Sequence, residues 1–129
     1  MKNKLFLSII MIFTISISLN AQELTWYSWD EGYAKAKEEN KILLVDVYTD
    51  WCGWCKVMDK ETYSNENVIY KIETNFVPVK INPEIKDIEY EYNENMYNGN
   101  QLVSYLSDNK LTGFPSTLFV FTNTNDRYI

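Results

Sequence analysis

The sequence has no histidine and is poor in cysteine, glycine and proline, with two cysteines, four glycines and three prolines in 129 residues. Structural zinc sites use about four Cys or His ligands, so this chain is poorly equipped to build one. Positive charge is also scarce, because 12 Lys and Arg face 18 Asp and Glu for a net charge of −6. Nucleic acid is therefore not an expected partner.

The N-terminus has the pattern of a secretory signal. Two lysines in the first four residues precede an uncharged apolar run over residues 5–19, and a small residue lies before Gln22. The run is shorter than the roughly 20 residues of a membrane span. We expect residues 1–21 to be a cleaved signal peptide and the protein to be exported, in the periplasm; an uncleaved N-terminal anchor is the alternative. Residues 22–129 suffice for one domain.

The two cysteines, Cys52 and Cys55, are separated by two residues and follow an apolar, β-branched run. A Cys-x-x-Cys pair at a helix start places two sulfurs close together, and the helix amides favour a thiolate on the first one. An inert disulfide is a second interpretation, but so small a ring gives little entropic stabilisation. A metal site is a third. Redox chemistry is the interpretation we prefer.

An acidic residue, Asp46, interrupts the apolar run over residues 41–50. This run is typical of a parallel strand that is buried on both faces. Burying a carboxylate costs several kcal/mol unless it is paired or protonated. Proton handling for the two thiols would explain why an acid lies six residues before Cys52.

Residues 45–56 resemble the active-site strand, turn and helix start of the thioredoxin family. Asp46 lies where that family carries a buried acid, and Trp51 lies where it carries a tryptophan beside the nucleophilic cysteine. The resemblance extends over about residues 24–129.

Two further segments are similar to thioredoxin motifs, in the family's order. Residues 111–121 match the segment in which a cis-proline enters a strand, which identifies Pro115 as the expected cis residue. Residues 76–82 match the central strand, where the lysine near the buried acid corresponds to Lys80.

The resemblance implies an α/β, thioredoxin-like fold with a central mixed β-sheet flanked by helices. Relative to a minimal thioredoxin, we expect an acidic, tyrosine-rich insertion at about residues 83–100 and a truncated C-terminal strand and helix. The insertion would either shape a substrate groove or form a surface loop whose tyrosines cover the sheet edge.

The rest of the mature chain alternates between strand and helix patterns. We expect the following elements: a strand at 24–29, helices at 30–39, 53–63 (with Val57 and Met58 inward), 66–73 and 101–107, and strands at 76–81 and 118–121.

The resemblance also implies a mechanism. Cys52, the more exposed thiol, would attack a disulfide of a protein substrate, and Cys55, the more buried one, would resolve the mixed disulfide. Asp46, with Lys80 nearby, would relay the proton of Cys55. Four residues would contact the substrate: Trp51, Gly53, Trp54 and Pro115. The redox-active disulfide would be the only cofactor, with no metal.

The residue between the cysteines indicates the direction of reaction. Strong oxidants of this fold carry a histidine where this chain has Trp54, and an indole cannot supply the cation that stabilises the thiolate. We therefore expect a reductase supplied with electrons by a membrane donor. The alternative is a non-catalytic binding module that holds a protein partner through the insertion.

Overall fold

The computed structural model describes residues 22–124 and 126–129. The predicted signal peptide lies outside the described residues. No helix in the described part of the chain has the length and apolar character needed to cross a membrane.

In residues 22–124 and 126–129, four helices and six strands follow one another. They are α1 Trp29–Glu39, β1 Ile42–Val47, α2 Gly53–Glu61, α3 Glu66–Asn75, β2 Phe76–Ile81, β3 Glu89–Tyr92, β4 Asn95–Asn98, α4 Gly99–Leu106, β5 Ser116–Phe121 and β6 Arg127–Tyr128.

The main sheet has four strands in the order β2-β1-β5-β6. β1 is parallel to β2 and antiparallel to β5, so the predicted mixed sheet is confirmed. The register pairs Asp46 with Lys80 on one side and with Thr117 on the other. The buried acid is thus in the central part of the sheet, between the two strands whose motifs were predicted to accompany it.

The side chains of β1 point alternately into two separate hydrophobic cores, as expected for a strand covered on both faces. Leu43, Val45 and Val47 belong to a large core formed with α1, α4 and the insertion. Leu44 belongs to a smaller core that includes Tyr63 and the α3 residues Ile69 and Ile72. Because Asp46 alternates with Val45 and Val47, it lies on the face of the sheet covered by the smaller core.

The strand predicted at residues 24–29 is wrong in extent. Only one isolated bridge forms there, between Tyr27 and Val79, and α1 begins at Trp29. The reason is a capping box, in which the side chain of Ser28 accepts from the Glu31 amide and the Glu31 side chain accepts from the Ser28 amide. This pair fixes the helix start inside the predicted strand.

The insertion contains a β-hairpin, β3–β4, that packs against α1 and α4. Its Tyr92 is 1% exposed and joins the large core. The indole of Trp29 donates to the carbonyl of Glu91 at 2.7 Å, and the Trp29 ring contacts the rings of Tyr90 and Tyr92. The tyrosines therefore serve mainly to fasten the hairpin to the domain.

The prediction for α2 is half right. Met58 packs against the smaller core, but Val57 is 38% exposed. Two helical positions correspond to about 200° of rotation, so Val57 points away from the face that buries Cys55. An apolar side chain is thus left on the surface beside the cysteine pair.

Candidate active site

The two cysteines form a disulfide at the start of α2, with their Cα atoms 5.3 Å apart. Cys52 is the N-cap of the helix, and its Sγ accepts a hydrogen bond from the amide of Cys55 at 3.1 Å. In the reduced protein this amide, together with the positive end of the helix dipole, would stabilise a thiolate on Cys52.

Both cysteines are equally buried in the disulfide form, at 4% exposure each. The prediction that Cys52 is more exposed than Cys55 is therefore wrong for this state. The cause is the cap geometry, because the Cys52 sulfur is bonded back over the first turn of α2. The exposed surface at this turn belongs instead to Trp51 and Trp54, at 68% and 74%.

The side chain of Trp51 is held from two directions. Its Nε1 donates to Glu84 Oε2 at 2.9 Å, and its ring meets that of Phe114 edge to face at 5.9 Å between centroids. Glu84 lies just after β2, inside the predicted insertion. Sequence reasoning counted Glu84 among the acids of the insertion and missed this role. Its position after the carboxyl end of a parallel strand was the available signal.

The bond between Phe114 and Pro115 is cis, as predicted for Pro115. The turn is fixed by a hydrogen bond from Ser116 Oγ to the carbonyl of Gly113 at 2.7 Å. Through the ring of Phe114, this turn lies beside Trp51, the residue that precedes Cys52. A contact between Pro115 and a substrate stays a prediction.

The carboxylate of Asp46 is 2% exposed, and its Oδ2 lies 3.3 Å from Lys80 Nζ. Its Oδ1 has no hydrogen-bond partner among the described residues. Burial raises the pKa of the Asp46 carboxyl, and the positive charge of Lys80 opposes this rise. A buried carboxyl with a raised pKa is suited to exchange a proton with a thiol.

Lys80 has a second carboxylate partner that the sequence analysis missed. This partner is Asp59 of α2, whose Oδ1 lies 2.5 Å from Lys80 Nζ. Asp59 is four residues after Cys55, so the two share one face of the helix. That spacing indicates only that Asp59 lies on the side of α2 that carries Cys55, and gives no signal for its pairing with Lys80.

The remaining predicted site residue, Gly53, is the first residue of α2 and is exposed. A Cβ added there would meet nothing within 4 Å, so no packing contact requires a glycine. Its contact with a substrate stays a prediction. In the described part of the chain, no group of three or more His, Cys, Asp or Glu side chains could hold a metal ion.

A mixed sheet, a Cys-x-x-Cys disulfide at a helix start and a cis-proline that enters the strand next to β1 together define a thioredoxin-like protein. Solved structures agree on the fold. A DsbH oxidoreductase has a TM-score of 0.60 at 19% identity, covering 83% of this chain and 71% of that one. A disulphide isomerase from Xylella fastidiosa has a TM-score of 0.57 at 24% identity, covering 77% and 67%.

The chain belongs to the Thioredox_DsbH family, described as a protein of unknown function, DUF255, whose model matches residues 17–128. Proteins similar to this chain include spermatogenesis-associated protein 20 of Rattus norvegicus, 36% identical over 69 residues, and thiol:disulfide interchange protein DsbD 2 of Pseudomonas aeruginosa, 34% identical over 44 residues. These matches cover 52% and 34% of this chain, but only 9% and 8% of the two relatives. The chain thus spans less than a tenth of either protein.

Proposed function

We propose that this chain is an exported thiol–disulfide oxidoreductase that reduces disulfides of protein substrates. The observation that carries the proposal is the Cys52–Cys55 disulfide at the N-terminus of α2, with the buried Asp46 carboxyl in the strand that leads to it. The proteins similar to this chain include a thiol:disulfide interchange protein, which supports the same chemistry.

The exchange takes place in two substitutions at sulfur. In the reduced chain, the thiolate of Cys52 attacks a substrate disulfide, forms a mixed disulfide and releases one substrate sulfur as a thiolate. The thiol of Cys55 then gives its proton to Asp46 and attacks Cys52 Sγ. The Cys52–Cys55 bond forms, the bond to the substrate breaks, and the second substrate sulfur leaves and takes up a proton. Two electrons pass from the dithiol to the substrate.

The exposed indoles beside the disulfide suit the first contact with a substrate. Trp51 is held in place by Glu84, whereas Trp54 projects freely from the first turn of α2. Together they offer a large apolar surface next to sulfurs that are themselves buried. A partly unfolded protein, with apolar side chains near its disulfide, would match this surface.

The direction of exchange rests on Trp54. Without a histidine cation between the cysteines, the thiolate loses one source of stabilisation, and the reduction potential should lie toward the reducing end. Thioredoxin and DsbA differ by about 150 mV, or roughly 7 kcal/mol for two electrons. In an oxidising compartment a reductase needs a supply of electrons, which we assign to a membrane donor.

Turnover of insulin and equilibration with glutathione test this function. The wild-type chain should reduce insulin catalytically, Cys52→Ser and Cys55→Ser should not, and the potential should lie nearer to about −270 mV than to about −120 mV. Tyr70→Ser, which changes an exposed aromatic residue on α3, is a suitable control variant. A potential near the DsbA value would reject the assignment as a reductase.

A second candidate function is protein binding without catalysis. The insertion exposes Ile85, Ile88 and Met96, which could hold a partner. Replacing these three residues by serine should leave insulin reduction intact if the redox function is correct. The binding function is favoured instead if these replacements abolish partner capture in cells while Cys52→Ser changes no measurable property.

A further inference from the structure

The ammonium of Lys80 is shared unequally between two carboxylates. It lies 2.5 Å from Asp59 Oδ1, which is exposed, and 3.3 Å from Asp46 Oδ2, which is buried. A single cation beside a buried anion would be expected to pair most closely with it, since the buried charge gains most from pairing. Here the exposed acid has the shorter contact.

Three aromatic rings confine this ammonium to the space between the two acids. Its distances to the ring centroids are 4.8 Å for Trp26, 5.0 Å for Tyr48 and 5.8 Å for Tyr63. We call Trp26, Tyr48 and Tyr63 the aromatic cage. Cation–π attraction holds the ammonium within the cage and leaves it little choice of partners. A loss of one carboxylate contact should therefore strengthen the other.

The two carboxylates differ in their access to solvent. A cavity of about 520 Å³ opens beside Lys80 and Asp59 and is also lined by Trp26 and Tyr63. Asp46 is not part of its lining and is buried near the end of β1. On α2, Asp59 lies about one turn after Cys55, so the outer acid and the resolving cysteine are on the same side of the helix.

Resting on the proposed dithiol exchange, we propose that Asp59 is a positioning residue, which draws the Lys80 ammonium away from Asp46 and so leaves the buried carboxylate able to accept the Cys55 proton. Proton transfer from Cys55 Sγ to Asp46 frees the sulfur to attack Cys52, as described above. If Lys80 paired fully with Asp46, the carboxylate would be a weaker base for this step.

The groups that face Asp46 are few. β2 contributes Lys80, α2 contributes Asp59, and the segment after α2 contributes Tyr63. β5 places Thr117, which has no charge, opposite Asp46 in the sheet. Burial raises the pKa of Tyr63, so its hydroxyl stays neutral across the working pH range. The charge balance at Asp46 is therefore set mainly by Lys80 and Asp59.

The variant Asp59→Asn tests the proposal, because asparagine keeps the shape of the side chain and removes its charge. The pKa of Asp46 is measured by carboxyl ¹³C NMR in the oxidised protein. The rate at which Cys55 resolves a mixed disulfide on Cys52 is then followed against pH. We expect the pKa of Asp46 to fall and the acidic limb of the resolution profile to move to lower pH. Lys80→Met should move both in the opposite direction.

Glu61→Gln is the matched control, since it removes the same charge from an exposed position of the same helix. It should shift neither quantity measurably. In an Asp46→Asn background, Asp59→Asn should no longer move the resolution profile. That background distinguishes an effect through Asp46 from a general effect on the helix.

The outcomes separate this inference from the proposed function. An unchanged or raised pKa of Asp46 in Asp59→Asn would overturn the inference, whether or not the wild-type chain reduces insulin. A lowered pKa with an unmoved resolution profile would overturn it as well. If the wild-type chain fails to reduce insulin, the proposed function fails, whereas the NMR titration still reports whether Asp59 controls Lys80.

Discussion

Asp46 combines two properties that oppose each other, a nearly complete burial and an ionisable carboxyl. Its pKa is raised by burial, so the folded chain holds the proton more tightly than the unfolded chain does. The stability due to the protonated form is present below the unfolded pKa and is lost as pH rises through the folded pKa. The protein thus carries an energetic cost at neutral pH at the residue that we assign to proton transfer.

Asp46→Asn should remove that cost. We expect the variant to have a higher free energy of unfolding than the wild-type chain at pH 7, because Lys80 keeps Asp59 as a partner when the Asp46 charge is removed. The difference should shrink toward pH 4, where Asp46 of the wild-type chain becomes protonated. The same variant should resolve mixed disulfides more slowly. Urea titrations at several pH values check the stability. A variant less stable than wild type at pH 7 would contradict the assigned pKa direction.

Trp54 is the residue on which the direction of exchange depends. Trp54→His should raise the reduction potential by more than about 30 mV, equivalent to about 1.4 kcal/mol, because a histidine cation would stabilise the thiolate of Cys52. Trp54→Phe changes the side chain without adding a cation and should leave the potential close to wild type. The measurement is equilibrium with glutathione. Equal shifts in the two variants would show that charge at this position is not the cause.

At the scale of elements, the hairpin β3–β4 is anchored by one side chain above the others. Tyr92 is buried among Trp29, Tyr33 and Tyr105, and its hydroxyl has no hydrogen-bond partner in residues 22–124 and 126–129. The ring, rather than the hydroxyl, therefore carries the stabilising contribution.

We expect Tyr92→Ala to lower the free energy of unfolding by about 3–5 kcal/mol, as for other large aromatic residues removed from a core. Tyr92→Phe should change it by less than about 1 kcal/mol, because it removes only an unsatisfied hydroxyl. Chemical denaturation of both variants provides the comparison. A large loss in Tyr92→Phe would mean that the hydroxyl is hydrogen-bonded in solution.

The elements that carry strong local signals could be predicted from the sequence. β2 has the predicted limits, residues 76–81, and the cis bond before Pro115 is found where the motif predicted it. Both cases depend on short-range patterns, an apolar run bounded by polar residues and a proline in a recognisable motif. The same holds for α2, which begins directly after Cys52.

Features that depend on contacts distant in the chain could not be predicted. The hairpin forms because Trp29 and Tyr33 of α1 receive its tyrosines, and nothing near residues 89–98 in the sequence indicates that partner. The pairing of Lys80 with Asp59 joins residues 21 positions apart. The first strand was overestimated because aromatic composition outweighed the capping box of Ser28 and Glu31.

At the scale of the whole molecule, the redox state and the stability of the fold are linked. A strong oxidant such as DsbA has a stabilised reduced form, whereas a reductase has the opposite preference. If this chain is a reductase, its oxidised form should resist urea better than its reduced form. Denaturation with and without a reducing agent measures the difference. A more stable reduced form would contradict the proposed direction.

The redox role of the cysteine pair, with Cys52 as the attacking sulfur, is tested most directly by trapping. A Cys55→Ser variant leaves Cys52 free to attack and removes the thiol that would resolve the product. Incubated with oxidised, unfolded protein substrates, it should accumulate mixed disulfides that a reducing agent releases, and Cys52→Ser should accumulate far fewer. Equal trapping by both variants, or none by either, would contradict the account.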